Sequence, residues 1–495
     1  MMLWTMLWIA LPFLVGFSIY LLPQSDRPWG RVLDHRMFAL VVTLVSMAYA
    51  MVLFGQPAPL SWHLLDNFGV TLVADSLSAF FILTNALVTA AVILYCWHSG
   101  KTTFFYTQAI VLHGSVNAAF ICADLISLYV ALEVIGIATF LLIAYPRSDG
   151  QGPASRGHRS LWVALRYLFV SNTAMLFYLM GAALVYQTRQ SFAFEALEGA
   201  PIEALALLLL GLLTKGGIFI SGLWLPLTHS ESETPVSALM SGVVVKAGVF
   251  PLVRLALMLE DIDPIVRVFG AGTALLGVAY AMFEKDTKRM LAFHTVSQMG
   301  FVLAAPEVGG FYALTHGLVK AALFLSAGAL PSRSFKTLHE QPIPTPIWIA
   351  LVIASFSISG FPLLSGFGAK VLTMKNLLPW QVIAMNVAAL GTAISFAKFI
   401  FLPHAPATTQ ATKPGFWPAV LLLLAGLVVA NVAYYDAYSL ANIVKPLAII
   451  ALGWLVYRLI IQRLVVKLPQ VLEEFEHLIG VMSVMLMVLF GMVLA

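Results

Sequence analysis

Charge, cysteine and long polar stretches are all scarce in this sequence. Charged residues occupy 10% of its 495 positions, whereas soluble domains carry about 25%. Only two cysteines occur, Cys96 and Cys122, both inside apolar runs and in no CxxC pair. Cysteine-held clusters, which need about four ligands each, are therefore excluded, and a disulfide framework is not expected. The longest clearly polar stretch, 146–160, has fifteen residues, too few for a nucleotide-binding or other soluble domain. Neither an HExxH metal helix nor a convincing pair of haem-ligand histidines is present. The net charge of +4 is scattered over short loops, which leaves nucleic-acid binding without a basic patch. No cofactor, metal or nucleic acid is expected.

What fills the chain instead is apolar, with 60% hydrophobic residues and a mean hydropathy of +0.92. One bilayer crossing needs about 20 apolar residues. Sixteen runs read as crossings, from 1–22 through 160–187 and 287–305 to 415–432, 438–462 and 477–495. The first run has no cation before it, so it reads as a retained helix rather than a signal peptide. Alternate loops collect the cations: Arg27, Arg31, Arg36; Lys101; Arg147, Arg156, Arg159; Lys285, Lys288, Arg289; Arg333, Lys336; Lys413; Arg463, Lys467. The opposite set holds only Arg189, Lys375 and Lys445. Cations gather on the cytoplasmic side, which predicts both termini outside. An all-α polytopic membrane protein is the expected fold class.

Two crossings carry helix-breaking chemistry in mid-membrane. One runs from Lys215-Gly-Gly to Trp224-Leu-Pro226, and the other from Ser357 through Gly360-Phe-Pro to Lys370. Matching breaks in two halves are the mark of transporters built from internal repeats, with ion sites at the breaks. The predicted organisation is N-terminal helices at 1–103, a five-helix repeat at 104–259, a second at 264–402, and C-terminal helices at 403–495. Each repeat has its broken helix fourth, near 215–226 and 360–370. An odd number of crossings reverses the side from which the second unit starts, so the two must be inverted.

Ionisable groups within hydrocarbon are costly and usually face the bundle interior or a water-filled path. This chain has Glu133, Lys215, Lys246, His316, Lys320 and Lys370 well inside its central crossings. His316 and Lys320 are four apart and share a helix face. An amine loses its charge readily when desolvated and regains it beside a carboxylate. A Glu–Lys contact at about 4 Å, in an effective dielectric of about 20, is worth roughly 4 kcal/mol. Making and breaking such a contact suits proton transfer. Blander readings apply elsewhere. Lys375 and Lys398 read as snorkelling side chains, Asp75 and Asp124 as helix caps, and His294 as an interface residue. Glu133 also reads as a structural partner of one lysine, and His316 as a packing residue.

These residues lie in segments that resemble the antiporter-like subunits shared by respiratory complex I and the multisubunit Mrp Na+/H+ antiporters. The segments include Asp124-Leu-Ile-Ser-Leu-Tyr-Val-Ala-Leu-Glu133, Lys215-Gly-Gly, Trp224-Leu-Pro, Thr234-Pro-Val-Ser-Ala-Leu and Val245-Lys246-Ala-Gly-Val. Further on come Lys285-Asp-Thr-Lys-Arg-Met-Leu-Ala-Phe-His, Phe311-Tyr-Ala-Leu-Thr-His316-Gly-Leu-Val-Lys320 and Gly360-Phe-Pro-Leu-Leu-Ser-Gly-Phe-Gly-Ala-Lys370. The likeness covers roughly 70–402 and is best to the Mrp D subunit. It implies a fold of about fourteen core helices with two inverted five-helix repeats and two broken helices, here followed by extra C-terminal helices. It also implies a proton path, with Glu133 the acidic partner of Lys215, Lys246 the central relay, His316 and Lys320 the link, and Lys370 the terminal residue. Partners would be other membrane subunits of a cation/proton antiporter in a bacterial inner membrane, handling protons and Na+. A proton-pumping subunit of an NADH- or ferredoxin-driven quinone oxidoreductase, a hydrogenase or a carbon-uptake complex is the alternative. A scaffold that has lost transport would lack the relay charges, and all are present.

Overall fold

The structure is a computed structural model that describes residues 1–21, 34–65, 69–146, 153–406, 412–464, 466 and 468–494. Arg27, Arg31, Arg147 and Lys467 lie outside the described residues. Among the described residues twenty α-helices follow in chain order. The first six are α1 (Met2–Leu21), α2 (His35–Phe54), α3 (Ser76–Cys96), α4 (Thr103–Ala119), α5 (Leu125–Ala144) and α6 (Pro153–Arg189). Then come α7 (Ile202–Lys215), α8 (Leu225–Glu231), α9 (Thr234–Leu239), α10 (Val245–Met258), α11 (Asp263–Phe283), α12 (Thr287–Ala304) and α13 (Gly309–Ala327). The remainder are α14 (Phe335–Glu340), α15 (Thr345–Ser359), α16 (Ser365–Lys375), α17 (Gln381–Ile400), α18 (Phe416–Val432), α19 (Leu440–Leu459) and α20 (Phe475–Leu494). Helices dominate because hydrocarbon offers no partner for a backbone N–H or C=O, so each segment must satisfy its own.

Among the described residues, twelve helical segments are long and apolar enough to cross a membrane. The expected crossings that fall short of that measure are also helical: α4, α12, α15 with α16, and α18. Two local expectations need correction. The polar stretch 146–160 is not all connection, since α6 starts at Pro153 and runs for 37 residues. The run 72–97, expected as one crossing, opens in a strand: Leu60–Leu65 and Gly69–Ala74 form an antiparallel hairpin, β1 and β2, before α3.

Both aspartates read as caps are caps. Asp75 accepts the Ser78 amide at 2.9 Å and also holds Arg254 of α10 through both carboxylate oxygens, at 2.9 and 3.0 Å. Asp124 accepts the Ser127 amide at 2.7 Å and the Thr71 amide of the hairpin at 2.8 Å. Each therefore pins a helix start to a second element. Lys398 is satisfied at a helix end: its ammonium donates to the carbonyls of Ala281 and Glu284, at 3.1 and 2.7 Å, where the dipole of α11 favours a cation.

Inter-loop ion pairs divide the connections into two sets. Lys101–Glu233 (2.5 Å), Arg159–Glu231 (3.1 Å), Arg333–Asp286 (2.7 Å) and Arg289–Glu473 (2.7 Å) join loops of the cation-rich set. Arg254–Asp75 and Arg267–Glu307 join loops of the other set. Each of these pairs stays within its own set, as the alternation of crossings requires. Cysteines introduced by Lys285→Cys and Glu195→Cys, both at exposed positions, are expected to react with an impermeant maleimide from opposite sides of the membrane. Labelling from one side would break the helix count.

Burial singles out the centre. The apolar stretch of Thr234–Met258 is 100% buried and that of Pro306–Ala327 is 94% buried, against 17% for Leu440–Arg463. The charged helices α10 and α13, with α12 buried over nearly its whole length, are thus the innermost. The last two helices pack on opposite halves: α19 lies against α17, and α20 against α7. Arg289, bridging Glu284 and Glu473, ties the segment between them to α12.

Candidate functional site

The first break leaves α7 at Lys215. Gly217 and Phe219 take positive φ, at 69° and 55°, and the chain then makes a short 3-10 turn over Phe219–Trp224 before α8. Backbone groups freed by the break find partners: the Trp224 indole donates to the Thr214 carbonyl at 3.1 Å, and the Phe219 amide to the Thr273 hydroxyl at 2.9 Å. Gly248 of α10 packs directly on this backbone, where a Cβ would lie 2.3 Å from the Gly216 nitrogen. Lys215 is thereby held 3% exposed at a fixed point. Its ammonium donates to the Ser171 hydroxyl of α6 at 2.6 Å, a charged hydrogen bond of the kind worth about 1.5–3 kcal/mol.

Glu133 of α5 acts on Lys215 electrostatically. Among the described ion pairs the two do not form a direct contact, and Glu133 Oε1 is buried without a hydrogen-bond partner. The expected Glu133–Lys215 contact is therefore not formed here, and Ser171 holds the amine. Room for the ammonium comes from Gly136, three residues after Glu133 on the same helix face. A Cβ there would lie 3.1 Å from Lys215 Nζ and 3.5 Å from Ser171 Oγ. Gly136→Val is expected to displace the ammonium and to cut proton flux about tenfold or more, since that corresponds to only about 1.4 kcal/mol of barrier. Flux in membrane vesicles, with abundance of the chain checked by blot, is the measurement; undiminished flux would show that the ammonium has slack.

Lys246 lies just beyond a π-helical turn over Met240–Val244, which joins α9 to α10. A π turn displaces the regular bonding pattern and is frequent at functional sites. Here the Lys246 ammonium donates to the Ser241 carbonyl at 3.1 Å, and it lies 3.1 Å from His316 Nδ1 on α13. A charged Lys246 donates to Nδ1 and a neutral amine can accept from Nδ1–H, so the one contact can pass a proton in either direction. Close approach is helped by Gly317, where a Cβ would meet Lys246 Cε at 3.5 Å. One turn along α13, Lys320 is wholly buried and donates to the Leu291 carbonyl of α12. Thr295 donates to that same carbonyl and bonds Ser241 at 2.8 Å, so the π turn, α12 and α13 are laced together around the two amines.

At the second break, Gly360 ends α15 with φ 87°. A Cβ there would meet Lys370 Cδ at 2.9 Å, so the glycine makes space for the lysine stem as well as for the turn. Lys370 Nζ has no hydrogen-bond partner and sits 5.5 Å from the centre of the Phe301 ring. Around this break the hydroxyls of Ser355, Ser357, Ser359, Ser365 and Thr373 are buried and unpartnered within the protein. Such groups cost about 1–3 kcal/mol each when left unmade, and ordered water is their usual partner.

Two histidines belong with this series although sequence reasoning does not place them there. His294, expected at an interface, is wholly buried, edge-on to Phe396 at 4.5 Å, and lies within electrostatic reach of Lys320 and Lys370. His229 is wholly buried, stacked on Phe324 at 4.7 Å, and feels the charges of Lys320 and Lys288. The available signal for His294 is its spacing from Gln298, four residues on, which accepts from Tyr312 at 2.7 Å. Among the described residues no group of three His, Cys, Asp or Glu converges to hold a metal ion.

The family described as "NADH:quinone oxidoreductase/Mrp antiporter, TM" matches residues 122–395, a stretch that contains all six sequence-derived site residues. The D subunit of the Na(+)/H(+) antiporter of Alkalihalophilus pseudofirmus is 26% identical over 398 residues, covering 73% of this chain and 78% of the relative. The N subunit of the NADH-quinone oxidoreductase of Desulforudis audaxviator is 28% identical over 444 residues, covering 79% and 84%. A chain in the structure of the Mrp complex from Dietzia sp. DQ12-45-1b superposes with a TM-score of 0.76 at 23% identity, over 96% of this chain and 58% of that one. A chain of the membrane-bound sulfane sulfur reductase, an archaeal respiratory membrane complex, gives 0.75 at 20% identity, over 90% and 99%. At those identities the two structures speak for the fold. With more than half of its length matched, the chain belongs to the NADH:quinone oxidoreductase/Mrp antiporter transmembrane family.

Proposed function

We propose that this chain is the proton-conducting subunit of a multisubunit monovalent cation/proton (Na+/H+) antiporter. The observation that carries the reading is the row of buried amines and imidazoles that crosses the innermost helices, centred on the 3.1 Å contact between Lys246 and His316. In this reading Glu133 tunes Lys215 at one end, Lys246, His316 and Lys320 relay the proton through the middle, and Lys370 handles it at the other end. The segments 104–259 and 264–402 act as the two inverted repeats, each contributing one broken helix. A cavity of about 420 Å³ on the cation-rich face, lined by Lys101, Glu233 and Lys288 among others, is the cytoplasmic intake. His229, under the influence of both Lys288 and Lys320, is its link to the axis. The membrane is a bacterial inner membrane, with both termini outside.

Other membrane subunits are the partners. A second reading, a pump subunit of a redox-driven respiratory complex, is favoured by the 28% identity to the N subunit of an NADH-quinone oxidoreductase. Purifying the intact assembly separates the two. Small antiporter subunits and Na+-driven proton flux in vesicles are expected; flavin and iron–sulfur subunits would install the second reading. A chain that purifies without partners, in vesicles without flux, would reject both.

A further inference from the structure

A second cavity opens beside Lys370, on the face opposite the cation-rich loops. It has a volume of about 160 Å³ between α16, α17 and α19, and its polar lining is Ser359, Lys370, Lys375, Asn386, Asn442 and Lys445. Three lysines and no acidic residue line it. Lys370 is 6% exposed, and its Nζ has no hydrogen-bond partner. Among the described ion pairs none includes Lys370. The fourth positive element is a helix end. Ala441, Asn442 and Lys445 belong to the first turns of the 20-residue α19, whose start is capped by Ser439. The N–H groups and dipole of a helix N-terminus attract anions. Three lysines and a helix N-terminus converge on a small concave space that no acidic residue lines.

We infer that this cavity binds an oxyanion of phosphate or sulfate type, which supplies Lys370 with the counter-charge that Glu133 supplies to Lys215. The oxyanion is either a free inorganic ion or the phosphodiester of an anionic lipid, because α19 is largely exposed on its outer side. Lys375 and Lys445, both exposed at the mouth, guide it inward, and Lys370 holds it at the base. The binding claim rests on the cavity alone and holds whether or not the proton path is as proposed. Only its consequence, that occupancy tunes the terminal lysine, depends on that reading.

The test is sulfate titration of the intact purified assembly by calorimetry in a low-salt zwitterionic buffer, which requires no transport. Saturable binding is expected for the wild type. The double variant Lys375→Gln/Lys445→Gln should bind about tenfold or more weakly, since a hydrogen bond to a charged group is worth about 1.5–3 kcal/mol and about 1.4 kcal/mol is tenfold. Lys375→Arg/Lys445→Arg should retain binding, and so should Lys413→Gln on the other face. Repeating the titration in nanodiscs identifies the source. Weaker sulfate binding with phosphatidylglycerol than with phosphatidylcholine alone assigns the site to a lipid phosphodiester, and equal binding assigns it to a free ion. Unchanged affinity in the double glutamine variant, or no saturable binding in the wild type, would overturn the inference.

Discussion

Lys215→Arg is expected to lose proton flux as completely as Lys215→Ala, by about a hundredfold or more, which corresponds to about 3 kcal/mol of barrier. The expectation separates a proton carrier from a fixed charge. Arginine keeps the positive charge beside Glu133 and the donor to Ser171, but it cannot give up a proton inside a protein. Its larger planar head must also fit the space that Gly136 leaves, where even a methyl group would lie 3.1 Å from the ammonium. Assembly is the control for that crowding. A Lys215→Arg assembly present at normal abundance yet silent in vesicle flux identifies the lost function as proton release. Full activity would mean that only a standing charge is needed there.

Lys246→Met should be equally inactive and the better tolerated of the two by the fold. Methionine matches the length of the lysine stem, and replacing a buried ammonium by an apolar group of similar size is often neutral or stabilising. What disappears is the one hydrogen bond linking α10 to α13 through a titratable group at each end. His316→Gln probes the same contact from the other side: the amide still bonds the ammonium but cannot take its proton. Both variants are expected to retain wild-type abundance and to drop flux about a hundredfold, a barrier increase of about 3 kcal/mol. Activity in His316→Gln with none in Lys246→Met would move the relay from the imidazole to Lys320 alone.

Much of this arrangement is written in the sequence because membrane insertion enforces it. A run of apolar residues must become a helix, so the crossings, the two breaks and the inward-facing charges follow from hydropathy and from the cost of a buried ion. Contacts between helices carry no such signature. The π turn before Lys246 occurs in an ordinary apolar stretch, Met240–Val244, and shows only once the backbone is placed. His294 reads as interfacial when depth is counted from Lys288 and Arg289, whereas the direction of its side chain is set by α12 packing between α11 and α13. Glu133 and Lys215 read as partners in the sequence, but that Ser171 takes the ammonium is not legible there. The hairpin before α3 is hidden because its second strand merges with the apolar run of the helix. The docking of α20 on α7 is similarly silent in one dimension.

A path made of links in series has one decisive test, the removal of its middle. Lys320 is wholly buried one turn from His316 on the same face of α13, and in the proposed path it links the Lys246–His316 contact to the Lys370 break. Cation-driven proton flux is measured in inverted vesicles bearing the Lys320→Met assembly, with abundance matched to wild type. If protons pass along this axis, flux falls to background, and adding Lys215→Ala to the same chain lowers it no further. Flux that persists near the wild-type rate in Lys320→Met would show that protons cross elsewhere and would contradict the proposed path.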